Sequence, residues 1–121
     1  MFPGLMGVTL KEATQERIVA SMLVRPDLCT GGGVLHGGAY MAFADTMGAL
    51  GTVMNLPPKT RTTTIESKTN FLGAAPVNTH VTAESIPLHR GKTTQVWQTS
   101  IRSEAGKLCA IVTQTQMVLP T

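Results

Sequence analysis

The residues whose types and spacing could do chemistry are His36-Gly37-Gly38 and, eight positions after Gly37, Asp45. They bracket the start of a run, Ala39 to Met54, whose sixteen residues carry one formal charge, that of Asp45. The first N–H groups of a helix have no intrahelical partner and lie at the positive end of its dipole. At Gly37 and Gly38 they would suit a carbonyl oxygen that gains negative charge. A carboxylate in so apolar a helix is expensive to bury unless it has a partner or a task. Taken singly, His36 reads as a structural histidine bonded beside a turn, and Asp45 as a carboxylate capping a neighbouring strand. Beside Gly37-Gly38 they read together as an electrophile clamp, a histidine and a carboxylate.

Competing chemistries find less support. The glycine loop Gly31-Gly32-Gly33 lacks both GxxxxGK[ST] and the GxGxxG spacing of a nucleotide cradle. His36, His80, His89, Cys29 and Asp45 have no recognised metal-ligand spacing, so no metal is expected. No separate motif supports Cys29 as a nucleophile. The net charge of +3 comes without a basic run or interleaved aromatics, which argues against nucleic acid.

These groups must be held by the elements around them. Apolar residues on every side of the wheel predict a helix from Ala39 to Met54 that is buried almost all round. Pro57-Pro58 stops it. Met1 to Leu10 reads as an irregular lead-in, and Lys11 to Val24 as one first strand closed by Pro26-Asp27. After the helix the period changes to that of strands: Thr60 to Leu72, Asn78 to Leu88, Thr93 to Arg102 and Leu108 to Leu119. Pro87 implies a bulge or an edge. One face of the third of these should carry Gln95, Trp97, Thr99 and Ile101. One face of the last should carry Cys109, Ile111, Thr113, Thr115 and Met117. Short turns between them predict antiparallel neighbours, and a helix covered by such a sheet gives one α+β domain over residues 1–121.

The chain has 121 residues, enough for one domain with a real core. Only 14% of them are charged, which suggests that much surface is hidden in an oligomer. Two lone cysteines, Cys29 and Cys109, fit a reducing setting. The apolar helix is too short for a membrane span, and the N-terminus lacks the basic start of a signal peptide. A cytoplasmic location is therefore expected.

The segment Leu35-His36-Gly37-Gly38-Ala39-Tyr40-Met41-Ala42-Phe43-Ala44-Asp45 resembles the HGG…D signature of the hotdog-fold thioesterases, in their phenylacetate-pathway type (PaaI-like) group. Thr64 to Leu72 is similar to that group's next strand, and Arg90-Gly91-Lys92 and Gly106-Lys107-Leu108 stand where its later hairpins do. The resemblance covers roughly Val19 to Val118. It implies the hotdog fold, a long central helix wrapped by an antiparallel sheet of five or so strands. It also implies hydrolysis of an acyl-CoA thioester to free acid and coenzyme A, with no cofactor beyond the coenzyme A of the substrate. By this resemblance the Gly37 N–H holds the thioester carbonyl, with His36 and Gly38 beside it. Asp45 is the nucleophile or general base, and Thr64, or else Thr63, assists the water. Thr30 stands six positions before His36, where some members have Asn. Arg61, Arg90, Gly91, Lys92 and Lys107 are candidate contacts to coenzyme A. Tyr40, Met41, Met47, Met54 and Phe71 are candidates for the acyl lining.

A non-catalytic acyl-CoA-binding protein of this fold, or a hotdog dehydratase or hydratase, are the alternatives. Gly37 and Asp45 are separated by about 12 Å of helical rise. A homodimer, alone or as a dimer of dimers, is therefore expected, with Gly37 of one copy beside Asp45 of the other. Ala42, Gly48, Ala49 and Gly51 would then let two helices pack closely.

Overall fold

The computed structural model describes all residues 1–121. The chain opens on a short helix, α1 (Phe2–Met6), where an irregular lead-in was expected. Pro3 suits its first turn, and Gly7, at φ 81°, ends it in the left-handed conformation that favours glycine. The stretch Lys11 to Val24 is two strands rather than one, β1 (Thr9–Ala13) and β2 (Ile18–Leu23). Thr14 makes the turn between them: its N–H donates to the Arg17 carbonyl at 2.9 Å and its hydroxyl accepts from the Glu16 N–H. This turn uses neither Gly, Pro nor Asn, so its break in the strand leaves no punctuation in the sequence.

A long helix, α2 (Gly37–Val53), follows the glycine loop. Beyond it come β3 (Thr60–Phe71), β4 (His80–Arg90), β5 (Thr94–Arg102) and β6 (Leu108–Pro120). All six strands form one antiparallel sheet in the order β1-β2-β4-β5-β6-β3. β3 and β4 are therefore not the antiparallel neighbours that a short turn between them predicted. Their connection runs back along the glycine loop, where the Leu35 N–H donates to Ala75 and the Val77 N–H donates to Gly33. β3 becomes an edge strand, bonded to β6 alone. The irregularity expected at Pro87 lies between Pro87 and His89.

One core cluster joins α2 to the sheet, with Tyr40, Phe43, Ala44 and Met47 facing Ile18, Ala20, Val81, Trp97, Ile101 and Val112. The inner face of β5 carries Gln95, Trp97, Thr99 and Ile101 as expected. That of β6 does not follow the expected row. Cys109 is an extra residue opposite the Ile101/Arg102 step, so both it and Ala110 are buried. A one-residue bulge flips every later side chain. Val112, Gln114 and Gln116 face the helix, while Ile111, Thr113, Thr115 and Met117 take the outer face.

Two glycines set how closely helix and sheet approach. A Cβ on Gly48 would lie 2.2 Å from Gln114 Cδ, and one on Gly51 would lie 2.6 Å from the Trp97 ring. These glycines face their own sheet, so they do not form the helix–helix contact expected of them. Nor is α2 buried all round. Met41, Val53 and Met54 are exposed, and Asp45 is half-buried. A single sheet covers one side of a helix, and the other side stays open.

Gly51→Ala gains about 1 kcal/mol of helix propensity but drives a methyl into the ring of fully buried Trp97, an overpacking cost of about 1–3 kcal/mol. The expected outcome is a lower thermal midpoint, read by circular dichroism.

Candidate active site

His36 is the N-cap of α2, and its Nδ1 accepts the Gly38 N–H at 2.8 Å. The histidine thus does the structural work of a Ser or Asp cap. Of the two glycine donors, Gly38 is spent inside the protein. The Gly37 N–H has no protein partner and stands at the start of the helix beside the Phe71 ring. It is the one of the two glycine donors left free.

Two turns along the helix, Asp45 is met by the sheet. The Thr64 hydroxyl is within donating distance of two acceptors, Asp45 Oδ1 at 2.7 Å and Gln116 Oε1 at 2.5 Å. Gln114 Nε2 donates to Asp45 Oδ1 and to the Asp45 carbonyl, both at 3.3 Å, and to Gln116 Oε1 at 2.9 Å. Gln116 Nε2 donates to Thr62 Oγ1 at 3.1 Å. Asp45 Oδ1 is therefore tied, while Oδ2 has no protein hydrogen bond. Thr64, not Thr63, reaches Asp45, because alternate strand residues face opposite ways and Thr63 is exposed. Gln114 and Gln116 escaped the sequence reading because the bulge at Cys109 moves them to the inner face.

The remaining candidates are dispersed. The Thr30 hydroxyl accepts the Gly32 N–H at 3.2 Å, so it braces the glycine loop. Arg90 is committed too: Nη1 donates to the Gln15 carbonyl at 3.1 Å and reaches Glu16 and Asn55 at 3.3 Å. It clamps the β1–β2 turn to the end of α2 instead of standing free for a phosphate. Gly91 closes the β4–β5 turn on the Thr94 carbonyl. Lys92 and Arg61 are exposed at that same end, whereas Lys107 lies beside Gly73, towards the start of α2. Within one chain Lys107 cannot converge with the others, for α2 alone is about 25 Å long. Cys29 is half-buried with Sγ 3.2 Å from the Arg25 carbonyl, and no three of the His, Cys, Asp and Glu side chains come together. Of the acyl-lining candidates, Tyr40 and Met47 are core, while Met41, Met54 and Phe71 are exposed.

Tyr40 packs edge-on against Phe71 at 6.2 Å, and its hydroxyl approaches the Gly73 carbonyl at 3.4 Å. Burial, and after it the neighbouring Cys109, pushes its phenol well above the ordinary tyrosine range. The neutral phenol is therefore favoured in the fold. Its contribution to stability is complete below about pH 10 and is lost as the unfolded chain ionises above that. As Tyr40 is the chain's one tyrosine, ultraviolet titration reads it directly. The tyrosinate band should stay absent from the folded protein at about pH 11 and appear on unfolding.

A family model described as the thioesterase superfamily matches residues 32–110. A crystal structure of a thioesterase from Haemophilus influenzae superposes with a TM-score of 0.92 at 30% identity, covering 98% of this chain and 82% of that one. A mutant thioesterase from Pseudomonas aeruginosa gives a TM-score of 0.94 at 27% identity, over 99% of this chain and 86% of that one. The 1,4-dihydroxy-2-naphthoyl-CoA hydrolase of Escherichia coli is 27% identical over 116 residues, 96% of this chain and 85% of its own. No helix is long and apolar enough to cross a membrane. With its helix-on-sheet architecture and its HGG helix, the chain belongs to the thioesterase superfamily and is a hotdog-fold thioester hydrolase.

Proposed function

We propose that the chain hydrolyses acyl-CoA thioesters at a site shared between two copies. One observation carries the chemistry. The free N–H of Gly37 and the tied carboxylate of Asp45 are the two functions that thioester hydrolysis requires, an oxyanion donor and a base or nucleophile. The E. coli relative, named for a CoA thioester, supports coenzyme A as the leaving group.

In this reading the thioester carbonyl oxygen accepts the Gly37 N–H. Asp45 Oδ2 takes a proton from water as the water oxygen bonds to the carbonyl carbon, or Oδ2 itself forms that bond. The tetrahedral intermediate collapses with cleavage of carbon–sulfur, and the thiolate takes up a proton to leave as coenzyme A. If Asp45 is the nucleophile, water then cleaves the mixed anhydride.

Eight residues of helix keep Gly37 and Asp45 of one chain about 12 Å apart. Reacting atoms must approach to about 3–3.5 Å. Two further features favour a second copy. β3 is an edge strand with unpaired backbone groups and exposed Ile65 and Phe71, a ready surface for pairing. The open side of α2 carries exposed Met41 one turn before half-buried Asp45, and exposed Val53 at its end. Pairing β3 with β3 about a two-fold axis sets the two α2 helices antiparallel. Gly37 of one copy then comes to Asp45 of the other. Lys92 and Arg61, at the far end of one helix, come towards the Gly37 end of its partner and so towards the phosphates of coenzyme A.

The test is thiol release from a panel of acyl-CoA thioesters. Asp45→Asn should lower kcat by about a hundredfold or more, the scale of a lost general base, while folding survives because the amide is cheaper to bury. Gly37→Pro removes the free N–H and should cost about 3–4 kcal/mol of transition-state stabilisation. A folded Asp45→Asn protein with undiminished turnover contradicts the assignment.

A further inference from the structure

The interior of the sheet holds more polar groups than stability asks for. Gln114 and Gln116 are fully buried on the face of the sheet that meets the helix. Gln114 Oε1 has no hydrogen-bond partner, nor has the buried hydroxyl of Ser67, which stands opposite Gln114 in the β3–β6 register. Turning the Gln114 amide over would set its oxygen against the Asp45 carboxylate, so the nitrogen must face Asp45 and the oxygen stays unpaired. An orphaned buried acceptor costs stability and calls for an explanation.

We infer that Gln114, backed by Gln116, is a positioning residue that fixes Asp45 with Oδ2 towards the thioester. This rests on the reading of Asp45 given above. The Thr64 hydroxyl has one proton and two acceptors in reach, Asp45 Oδ1 at 2.7 Å and Gln116 Oε1 at 2.5 Å. Thr64 alone therefore cannot hold the carboxylate whenever its proton turns to Gln116. Gln114 Nε2 has two protons. One bridges the Asp45 carbonyl and Oδ1, and the other goes to Gln116 Oε1. Because the first grips backbone and carboxylate of one residue together, it fixes the side-chain torsions of Asp45. Gln116, anchored on Thr62, keeps the Gln114 amide from rotating. Gly48 completes the device, since any side chain there would occupy the place of the amide.

Losing the Gln114 amide should affect turnover and not affinity. Gln114→Met keeps the volume and removes the N–H. It should lower kcat on the order of tenfold to a hundredfold, the cost of a reacting group displaced by about 1 Å, with KM within about twofold. Should Gln114→Met fail to fold, Gln114→Asn, whose amide is too short to reach Asp45, should show the same kinetics. Gly48→Ala should reproduce the effect by pushing an intact Gln114 off Asp45. In an Asp45→Asn background, Gln114→Met should cost no more than about twofold further, because a residue acting through Asp45 has nothing left to position. A folded Gln114→Met protein with kcat near wild type overturns the inference. So does an equal loss in the Asp45→Asn background, which is the mark of a general structural defect. An Asp45→Asn enzyme of normal turnover overturns instead the role of Asp45 itself, so the two failures are told apart.

Discussion

Everything in the site follows from how closely α2 lies on β5 and β6. At Gly48 and Gly51 the helix has no side chains, and into that space come the Gln114 amide and the Trp97 ring. Interiors are close-packed, so this approach is not adjustable without loss. It brings the polar row of β6 under the middle of the helix, where Asp45 projects, and β3 beside β6 brings Thr64 to the same carboxylate. Trp97 at the second contact donates to Gln95 Oε1 at 3.0 Å, so even the largest core side chain has its polar atom paired. A polar cluster can exist here only because the glycines make room for it.

In the proposed mechanism the same helix separates the two halves of the chemistry. Its first N–H groups are free because helices start that way, and the His36 cap consumes the second donor while leaving Gly37 available. The carboxylate, two turns away, is oriented by strands. One rigid rod supplies both functions but holds them too far apart for one substrate. In the proposed dimer a second, antiparallel rod supplies the missing half, and the unpaired sheet edge and the exposed Met41 and Val53 of one chain are the surface it would cover.

The parts written in local sequence were legible: the helix after His36-Gly37-Gly38, its stop at Pro57-Pro58, and the long strands after it. Asp45 and Thr64 were likewise singled out from the sequence, and the structure brings them into contact. What was not legible depends on long-range contacts. The turn at Thr14 carries no glycine or proline. The order of strands depends on a connection that binds the glycine loop. The identity of the inner face of β6 turns on a single extra residue at Cys109, and with it went Gln114 and Gln116. Arg90 looked like a free cation because its partners Gln15, Glu16 and Asn55 are remote in sequence. Gly48 and Gly51 looked like helix-packing residues because a sequence does not say which side a glycine faces.

The most direct measurement is activity in mixed dimers of two inactive chains. Asp45→Asn and Gly37→Pro proteins, unfolded and refolded together, combine at random if the chain is a dimer. Each mixed dimer then holds one site with both defects and one intact site. Shared sites predict recovery of up to about a quarter of wild-type turnover, with neither parent active alone. Mixed dimers proven by mass or tag capture, yet without recovered activity, would contradict a site divided between two helices.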